Sequence, residues 1–83
     1  MDTRKVALVT GAGQGIGKAI AQRLLRDGWA VVIAEVDEEA GRETVEEYRA
    51  LGPLHFHRTN VADEYQVRAV VDATHATFGR IDA

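Results

Sequence analysis

Three short apolar runs recur along this chain, each followed by a longer segment in which the apolar positions are spaced differently. Lys5–Thr10 is almost wholly apolar and rich in β-branched residues, Ala30–Ala34 repeats this pattern, and Leu54–Arg58 is a weaker third run. Apolar runs of this length without alternating polar positions are typical of strands buried on both faces of a parallel sheet. The pattern therefore predicts three strands.

The first two longer segments have the spacing of helices, with apolar residues three or four positions apart. In the first of them Ile16, Ile20 and Leu24 fall on one helical face, with Ala21 and Leu25 beside them, and Gly28 is a natural stop. The second begins with the acids that follow Asp37, whose side chain can cap a helix N-terminus. The spacing thus predicts one amphipathic helix after each of the first two strands.

A third helix follows the third strand. Asp63 can cap it and Gly79 can stop it. Its apolar stripe consists of Val67, Val70, Val71, Thr74 and Phe78. Ile81–Ala83 looks like the start of a fourth strand.

The order of the elements is therefore β-α-β-α-β-α, followed by the start of another strand. Strands that alternate with helices over short links form a parallel sheet with right-handed crossovers. The predicted fold class is α/β, with the architecture of the N-terminal half of a Rossmann-type doubly wound parallel sheet.

Composition and charge narrow the class of protein. The chain has 83 residues, of which 46% are hydrophobic and 28% charged, and this balance excludes a disordered tail or a coiled-coil rod. The net charge of −3 gives no reason to expect nucleic-acid or membrane binding. The absence of cysteine excludes disulfides and cysteine-based metal sites, and no apolar run is long enough to span a bilayer. A cytoplasmic location is expected.

A glycine-rich loop lies between the first strand and the first helix, at Gly11–Gly17. The first backbone N–H groups of a helix have no partner within it, and the helix dipole is positive there. A phosphate can bind at such a place if no side chain blocks it. The loop therefore predicts a phosphate site at the start of the first helix.

The spacing of the glycines selects among the known phosphate loops. A Walker A loop is excluded because Ala12 and Ala19 stand where it needs glycine and a hydroxyl residue. The G-x-G-x-x-G pattern from Gly11 fails because Ile16 occupies the place of a glycine or alanine. The pattern that fits is G-x-x-x-G-x-G.

An acid ends the second strand. Glu35 stands 18 residues after Gly17, and an acid about 20 residues past the glycines accepts hydrogen bonds from the adenosine ribose in dinucleotide-binding units. Asp37, Glu38 and Glu39 are also close, so a solvated acid in an acidic turn is the alternative reading. Position favours Glu35, because it directly follows the strand.

These segments together resemble the short-chain dehydrogenase/reductase family in its classical branch. Thr10–Gly17 matches the family's T-G-x-x-x-G-x-G cofactor motif, and Glu35 matches the acid at the end of its second strand. Asn60-Val61 stands where the family has an Asp-Val pair that contacts adenine, so an amide oxygen would replace a carboxylate there. Phe78–Asp82 is similar to the family's approach to its fourth strand.

The resemblance implies an oxidoreductase that moves hydride between a nicotinamide cofactor and an alcohol or carbonyl. The implied cofactor-binding residues are Gly11, Gln14, Gly15, Ile16, Gly17, Glu35, Asn60 and Val61. NAD is expected to be preferred over NADP, because the carboxylate of Glu35 would repel a 2′-phosphate.

The family's catalytic residues have no counterpart in this chain. Its Tyr-x-x-x-Lys pair is missing, because Gly52 and Ala69 stand four positions after Tyr48 and Tyr65. Residues 1–83 are therefore expected to form a single partial dinucleotide-binding domain, truncated before the catalytic half and inactive alone.

Such a half-domain would have two surfaces without a partner. In the family's strand order, 3-2-1-4 and onward, the outer edge of Val6–Thr10 would be bare, and a bare apolar edge is a template for another chain. The Val67–Phe78 face would meet only half a sheet. We expect the missing C-terminal half or another copy of the chain to cover both.

Two other functions remain open from the sequence. A non-catalytic module that binds nucleotide, or only another chain, is the main alternative. A methyltransferase-like fold is a more distant one, and the G-x-x-x-G-x-G spacing argues against it. No metal is expected, because His55 and His57 form an H-x-H pair without the further ligands that zinc usually takes.

Overall fold

A computed structural model describes residues 4–13 and 15–83. The elements in chain order are β1 (Val6–Thr10), α1 (Gly15–Arg26), β2 (Ala30–Glu35), α2 (Glu38–Tyr48), a 3₁₀ turn (Arg49–Leu51), β3 (Leu54–Arg58) and α3 (Glu64–Phe78). The predicted order of strands and helices is confirmed.

The three strands form a parallel sheet in the order β1-β2-β3. Val9 of β1 is the register partner of Ile33 in β2, and Ile33 is in turn the partner of Phe56 in β3. Because the strands are parallel, their carboxyl ends meet at one edge of the sheet. The predicted α/β class is confirmed.

Helices cover both faces of the central strand. Val31 and Ile33 pack with Leu25 of α1 on one face, while Val32 and Ala34 pack with Val70 of α3 on the other. This two-sided burial explains why β2 is an unbroken apolar run rather than an alternating one.

The helix caps lie where the sequence places them. The carboxylate of Asp37 accepts a hydrogen bond from the N–H of Ala40 at 3.1 Å, and that of Asp63 accepts one from the N–H of Tyr65 at 2.9 Å. Gly79 is the C-cap of α3, and its N–H donates to the carbonyl of His75. These local bonds fix where α2 and α3 begin and where α3 ends.

The buried face of α1 coincides with the expected one only in part. Ala21 and Leu25 are buried, whereas Ile16 is 81% exposed and Ile20 is 46% exposed. The helix starts at the carboxyl edge of the sheet and runs back over it, so its first turn lies beyond the strands. The spacing identified a helix correctly but placed its buried face too close to the N-terminus.

The edge of β1 is not wholly bare, and in this respect the sequence-based expectation is wrong. The Leu8 N–H donates to the carbonyl of Ala83 at 2.8 Å, and the N–H of Asp82 donates to the carbonyl of Val6 at 2.8 Å. A short extended segment is enough to pair with the first half of β1. Ile81–Ala83, the predicted start of a fourth strand, therefore lies on this edge, but no strand is formed there.

The stripe of α3 is buried only in part. Val70 and Thr74 are buried against the sheet, while 36% of Val67 remains exposed. Phe78 is half-buried, and its ring meets that of His55 edge-on with centroids 5.3 Å apart.

Within the described residues, no helix is long and apolar enough to cross a membrane.

Candidate cofactor-binding site

Two backbone hydrogen bonds tie together the segments that follow the three strands. The N–H of Gly11 donates to the carbonyl of Ala34 at 3.0 Å, and the N–H of Thr59 donates to the carbonyl of Glu35 at 3.0 Å. The glycine loop, the end of β2 and the segment after β3 are therefore neighbours. Ligands of open α/β sheets bind outside this carboxyl edge.

The three motif glycines are each required by the backbone. Gly11 has φ 65° and Gly15 has φ 66°, in the left-handed region that favours glycine. A Cβ atom on Gly17 would collide with the carbonyl group of Gly11. The loop can fold back onto the start of α1 only because these positions lack side chains.

The start of α1 is suited to an anion. The first turn of α1 contains no acid, whereas α2 and α3 both begin with acidic residues. The free N–H groups and the positive end of the helix dipole are therefore not neutralised by a carboxylate of that turn. Gln14, which the sequence assigns to this site, lies outside the described residues.

Lys18 faces α2 instead of the glycine loop. Its Nζ atom is 2.5 Å from a carboxylate oxygen of Glu47 and 5.5 Å from the centre of the Tyr48 ring. The hydrogen bond to Glu47 raises the pKa of Lys18, and burial opposes it only in part. This lysine joins α1 to α2.

Glu35 connects the end of β2 to the glycine loop. Its Oε1 accepts a hydrogen bond from the N–H of Gly13 at 2.9 Å, and its Oε2 accepts one from the N–H of Asp37 at 3.0 Å. A carboxylate has about four acceptor positions, so each oxygen can accept another bond. Glu35 can therefore hold the loop and still accept hydrogen bonds from a ribose.

Gly13 is a site residue that the motif analysis did not include. A Cβ atom there would lie 2.7 Å from Oε1 of Glu35 and 2.8 Å from Cβ of Ala40. The Gly13 carbonyl also lies 3.2 Å from the hydroxyl of Thr44, which can donate to it. The sequence signal for Gly13 was a glycine outside the fitted pattern, and its role depends on contacts 22 and 31 residues away.

Thr44 was also missed. It is completely buried in the middle of α2, and its hydroxyl lies within hydrogen-bond distance of the carbonyls of Gly13 and Ala40. A buried threonine in a helix that is otherwise rich in charged residues is the signal that could have found it. Thr44 has one hydroxyl proton for these two carbonyls, and its contact with Gly13 connects α2 to the glycine loop.

Asn60 and Val61 follow β3 at the same edge of the sheet. The Oδ1 atom of Asn60 accepts a hydrogen bond from the N–H of Ala62 at 3.0 Å, and one lone pair remains for a ligand. Val61 is 59% exposed, and Val36, which follows β2, is 52% exposed. These three residues follow two neighbouring strand ends, and exposed apolar side chains with an amide are groups that a base can contact. Their binding role stays a prediction.

Within the described residues, no group of three or more histidines, aspartates or glutamates is arranged to hold a metal ion. His57 bonds within its own strand end, where its Nδ1 lies 3.2 Å from the hydroxyl of Thr59.

Comparison with known proteins gives a consistent result. The sequence model of the short chain dehydrogenase family matches residues 5–83. An uncharacterised oxidoreductase of Thermotoga maritima is 52% identical over 79 residues, covering 94% of this chain and 31% of that protein. A cyclohexanol dehydrogenase of Acinetobacter sp. (strain SE19) is 40% identical over 78 residues, covering 93% of this chain and 31% of that protein. The chain thus spans about a third of the length of these curated relatives.

A solved structure has the same fold. The short chain dehydrogenase/reductase of Burkholderia phymatum, in complex with NAD, superimposes with a TM-score of 0.90 at 42% sequence identity. The match covers 94% of this chain and 28% of that protein. The resemblance found in the sequence is confirmed.

Proposed function

This chain belongs to the short-chain dehydrogenase family, and we propose that it is the NAD-binding part of an oxidoreductase. The reaction would be hydride transfer between the nicotinamide ring and an alcohol or carbonyl substrate. The relatives to which the chain is similar are oxidoreductases. The choice of NAD as the cofactor and the type of substrate are our inference.

One observation carries the proposal. Glu35, at the end of β2, bonds directly to the glycine loop that precedes α1. The loop that would bind an anion at the start of α1 and the acid that would receive a ribose are therefore joined by a hydrogen bond. A dinucleotide needs this combination, because its pyrophosphate and its adenosine ribose are covalently linked.

Each part of the site would bind a different part of the cofactor. The backbone of the glycine loop, with Ile16 exposed beside it, would bind the pyrophosphate. The carboxylate of Glu35 would accept hydrogen bonds from the adenosine ribose. Asn60 and Val61 would contact the adenine. When bound, the nicotinamide supplies the hydride chemistry, and these residues hold and orient the cofactor for it.

The preference for NAD over NADP follows from charge. The 2′-phosphate of NADP would lie where Glu35 accepts the ribose hydroxyls. Two like charges 4 Å apart repel by about 1 kcal/mol in water and about 4 kcal/mol at an effective dielectric of 20. The Val36 side chain beside this position is neutral.

A calorimetric titration of the full-length gene product with NAD tests the proposal. We expect saturable binding that is weakened about tenfold by Glu35→Gln, which keeps the shape of the side chain but removes its charge and one of its two acceptor oxygens. Glu39→Gln is the matched control, because Glu39 is an exposed acid in the first turn of α2. Failure of the wild-type protein to bind NAD or NADP would refute the proposal. Binding without turnover of any alcohol would support a non-catalytic nucleotide-binding module instead.

A further inference from the structure

A positively charged side chain lies next to Glu35 on the neighbouring strand. Arg58 is the register partner of Glu35 at the carboxyl ends of β3 and β2. Phe56 and Ile33, two residues earlier on each strand, both pack on the face that α1 and α2 cover. Since side chains alternate along a strand, Arg58 and Glu35 also share that face, about 4.8 Å apart at the backbone.

These two opposite charges do not pair with each other. Both oxygens of Glu35 accept hydrogen bonds from backbone N–H groups, those of Gly13 and Asp37. Arg58 is exposed, and its Nε donates a long bond of 3.4 Å to the carbonyl of Val36. In the part of the chain that the structure describes, no carboxylate lies within ion-pair distance of Arg58. The terminal nitrogens of its guanidinium are therefore available to a ligand.

Other cations near the site are already held by acids. Lys18 pairs with Glu47, and Arg42 pairs with Glu38 at 3.1 Å on the surface of α2. Arg58 differs because its position in the sheet is fixed by the register with Glu35, while its charge is not neutralised by a neighbour.

We propose that Arg58 is a second specificity-determining residue, which reads the 2′ position of the adenosine ribose together with Glu35. This rests on the proposed function, which places that ribose at Glu35. Glu35 disfavours a 2′-phosphate and Arg58 favours one, so the preference for NAD is the difference between two opposed charges. A guanidinium suits this task because its planar fork can bond two phosphate oxygens at once.

In the wild type, the charge of Glu35 then opposes the binding of a phosphate to Arg58. Removing that charge exposes the guanidinium to the 2′-phosphate, and the chain gains affinity for NADP without any new basic residue. The same gain should not occur once Arg58 has also been replaced.

The test measures dissociation constants for NAD and NADP by calorimetry on the full-length gene product. The variants are Glu35→Gln, Glu35→Gln with Arg58→Gln, and Glu35→Gln with Arg23→Gln. Arg23 is the matched control, since it is an exposed arginine near the end of α1 that pairs with Asp27 at 3.1 Å, at the opposite end of the sheet. Both double variants lose one positive charge, so a general change in the protein's field affects them equally.

We expect Glu35→Gln to bind NADP about tenfold more tightly than the wild type does, and Arg58→Gln to remove most of that gain. Arg23→Gln should change the NADP affinity by less than about twofold. Equal NADP affinity with and without Arg58, or an equal loss from Arg23→Gln, would overturn the inference.

Two further measurements keep the outcome decisive. Should Arg58→Gln unfold the protein, Arg58→Met replaces it: a methionine keeps the apolar stem but not the charge, so weaker binding of NADP supports the inference and unchanged binding contradicts it. Wild-type binding of NAD is measured in parallel. If it is absent, the proposed function fails; if it is present and Arg58 has no influence on NADP, only the present inference fails.

Discussion

The carboxylate of Asp82 accepts a hydrogen bond from the backbone N–H of Val6, 76 residues earlier in the chain, at 2.8 Å. The same carboxylate also receives two bonds from the guanidinium of Arg80, at 2.6 and 2.8 Å. Asp82 thus links the last described residues to the first strand through a side chain as well as through the backbone.

This arrangement predicts a dependence of stability on pH. The bonds from Arg80, and then the one from the Val6 N–H, lower the pKa of Asp82 below its usual value of 3.8. A carboxyl whose pKa is lower in the folded state stabilises the fold fully above its ordinary pKa, and this contribution is lost as the pH falls through the folded value. We therefore expect Asp82→Asn to lower the urea midpoint of unfolding at pH 7.

The difference between Asp82→Asn and the wild type should start to shrink as the pH falls below 3.8, where the carboxyl of the unfolded chain becomes protonated, and should vanish only below the lower pKa of the folded state. Urea midpoints at pH 7 and at acid pH measure this. Asp72→Asn, at an exposed acid of α3, is the control and should change the midpoint little at either pH. A difference that stays constant across this pH range would contradict the role given to the Asp82 charge.

Gly13→Ala should disturb the site more than the addition of a single methyl group suggests. The added Cβ would lie 2.7 Å from Oε1 of Glu35, so the carboxylate or the loop must move. We expect a loss of about 1–3 kcal/mol in the free energy of unfolding, together with weaker binding of NAD. Gly52→Ala is the matched control, since its Cβ would lie at an ordinary 3.5 Å from Leu25. Equal affinities for NAD in the wild type and Gly13→Ala would show that Glu35 does not need this glycine.

Thr44→Val tests whether α2 holds the glycine loop. The change keeps the volume of a completely buried side chain but removes the hydroxyl that reaches the carbonyl of Gly13. We expect a loss of about 1–2 kcal/mol in the free energy of unfolding and a weaker affinity for NAD.

Thr74→Val separates these two effects. Thr74 is equally buried, but it lies on α3 and its hydroxyl bonds within its own helix, to the carbonyl of Val70 at 2.7 Å. It should lower stability without changing the affinity for NAD. If both variants weaken the binding of NAD equally, the effect of Thr44 is general and does not pass through the loop.

The wild-type protein should bind NAD more tightly than NADP, because the proposed site places the carboxylate of Glu35 against the ribose. Raising the ionic strength should reduce the difference, since exposed charges are screened over about 10 Å at 0.1 M salt. Calorimetric titrations with both cofactors at low and high salt measure it. Tighter binding of NADP at low salt would contradict the role of Glu35.

The strands and caps could be predicted from the sequence because their causes are local. An unbroken apolar run such as Ala30–Ala34 has few alternatives to a strand buried on both faces. Asp37 and Asp63 cap the helices that directly follow them, so the sequence contains both partners within three positions.

The buried face of α1 and the bonds of Gly13 could not be predicted in the same way. Periodicity defines the direction of an apolar face but not where the sheet beneath it ends, so the exposure of Ile16 was missed. The contact of Gly13 with Glu35 exists only once β2 lies beside β1, and its contact with Thr44 only once α2 has packed beside the loop. No spacing rule for the motif contains them.

The bonds on the two sides of Gly13 have a consequence for the thermodynamics of ligand recognition. Its N–H is bound by Glu35 and its carbonyl by Thr44, and both partners belong to regular elements outside the loop. Gly13 is thus held in place by the protein itself. A ligand that docks beside it would lose translational freedom but would find the backbone of this residue already ordered, which lowers the entropic cost of association. Recognition would then be closer to a rigid fit than to folding around the ligand.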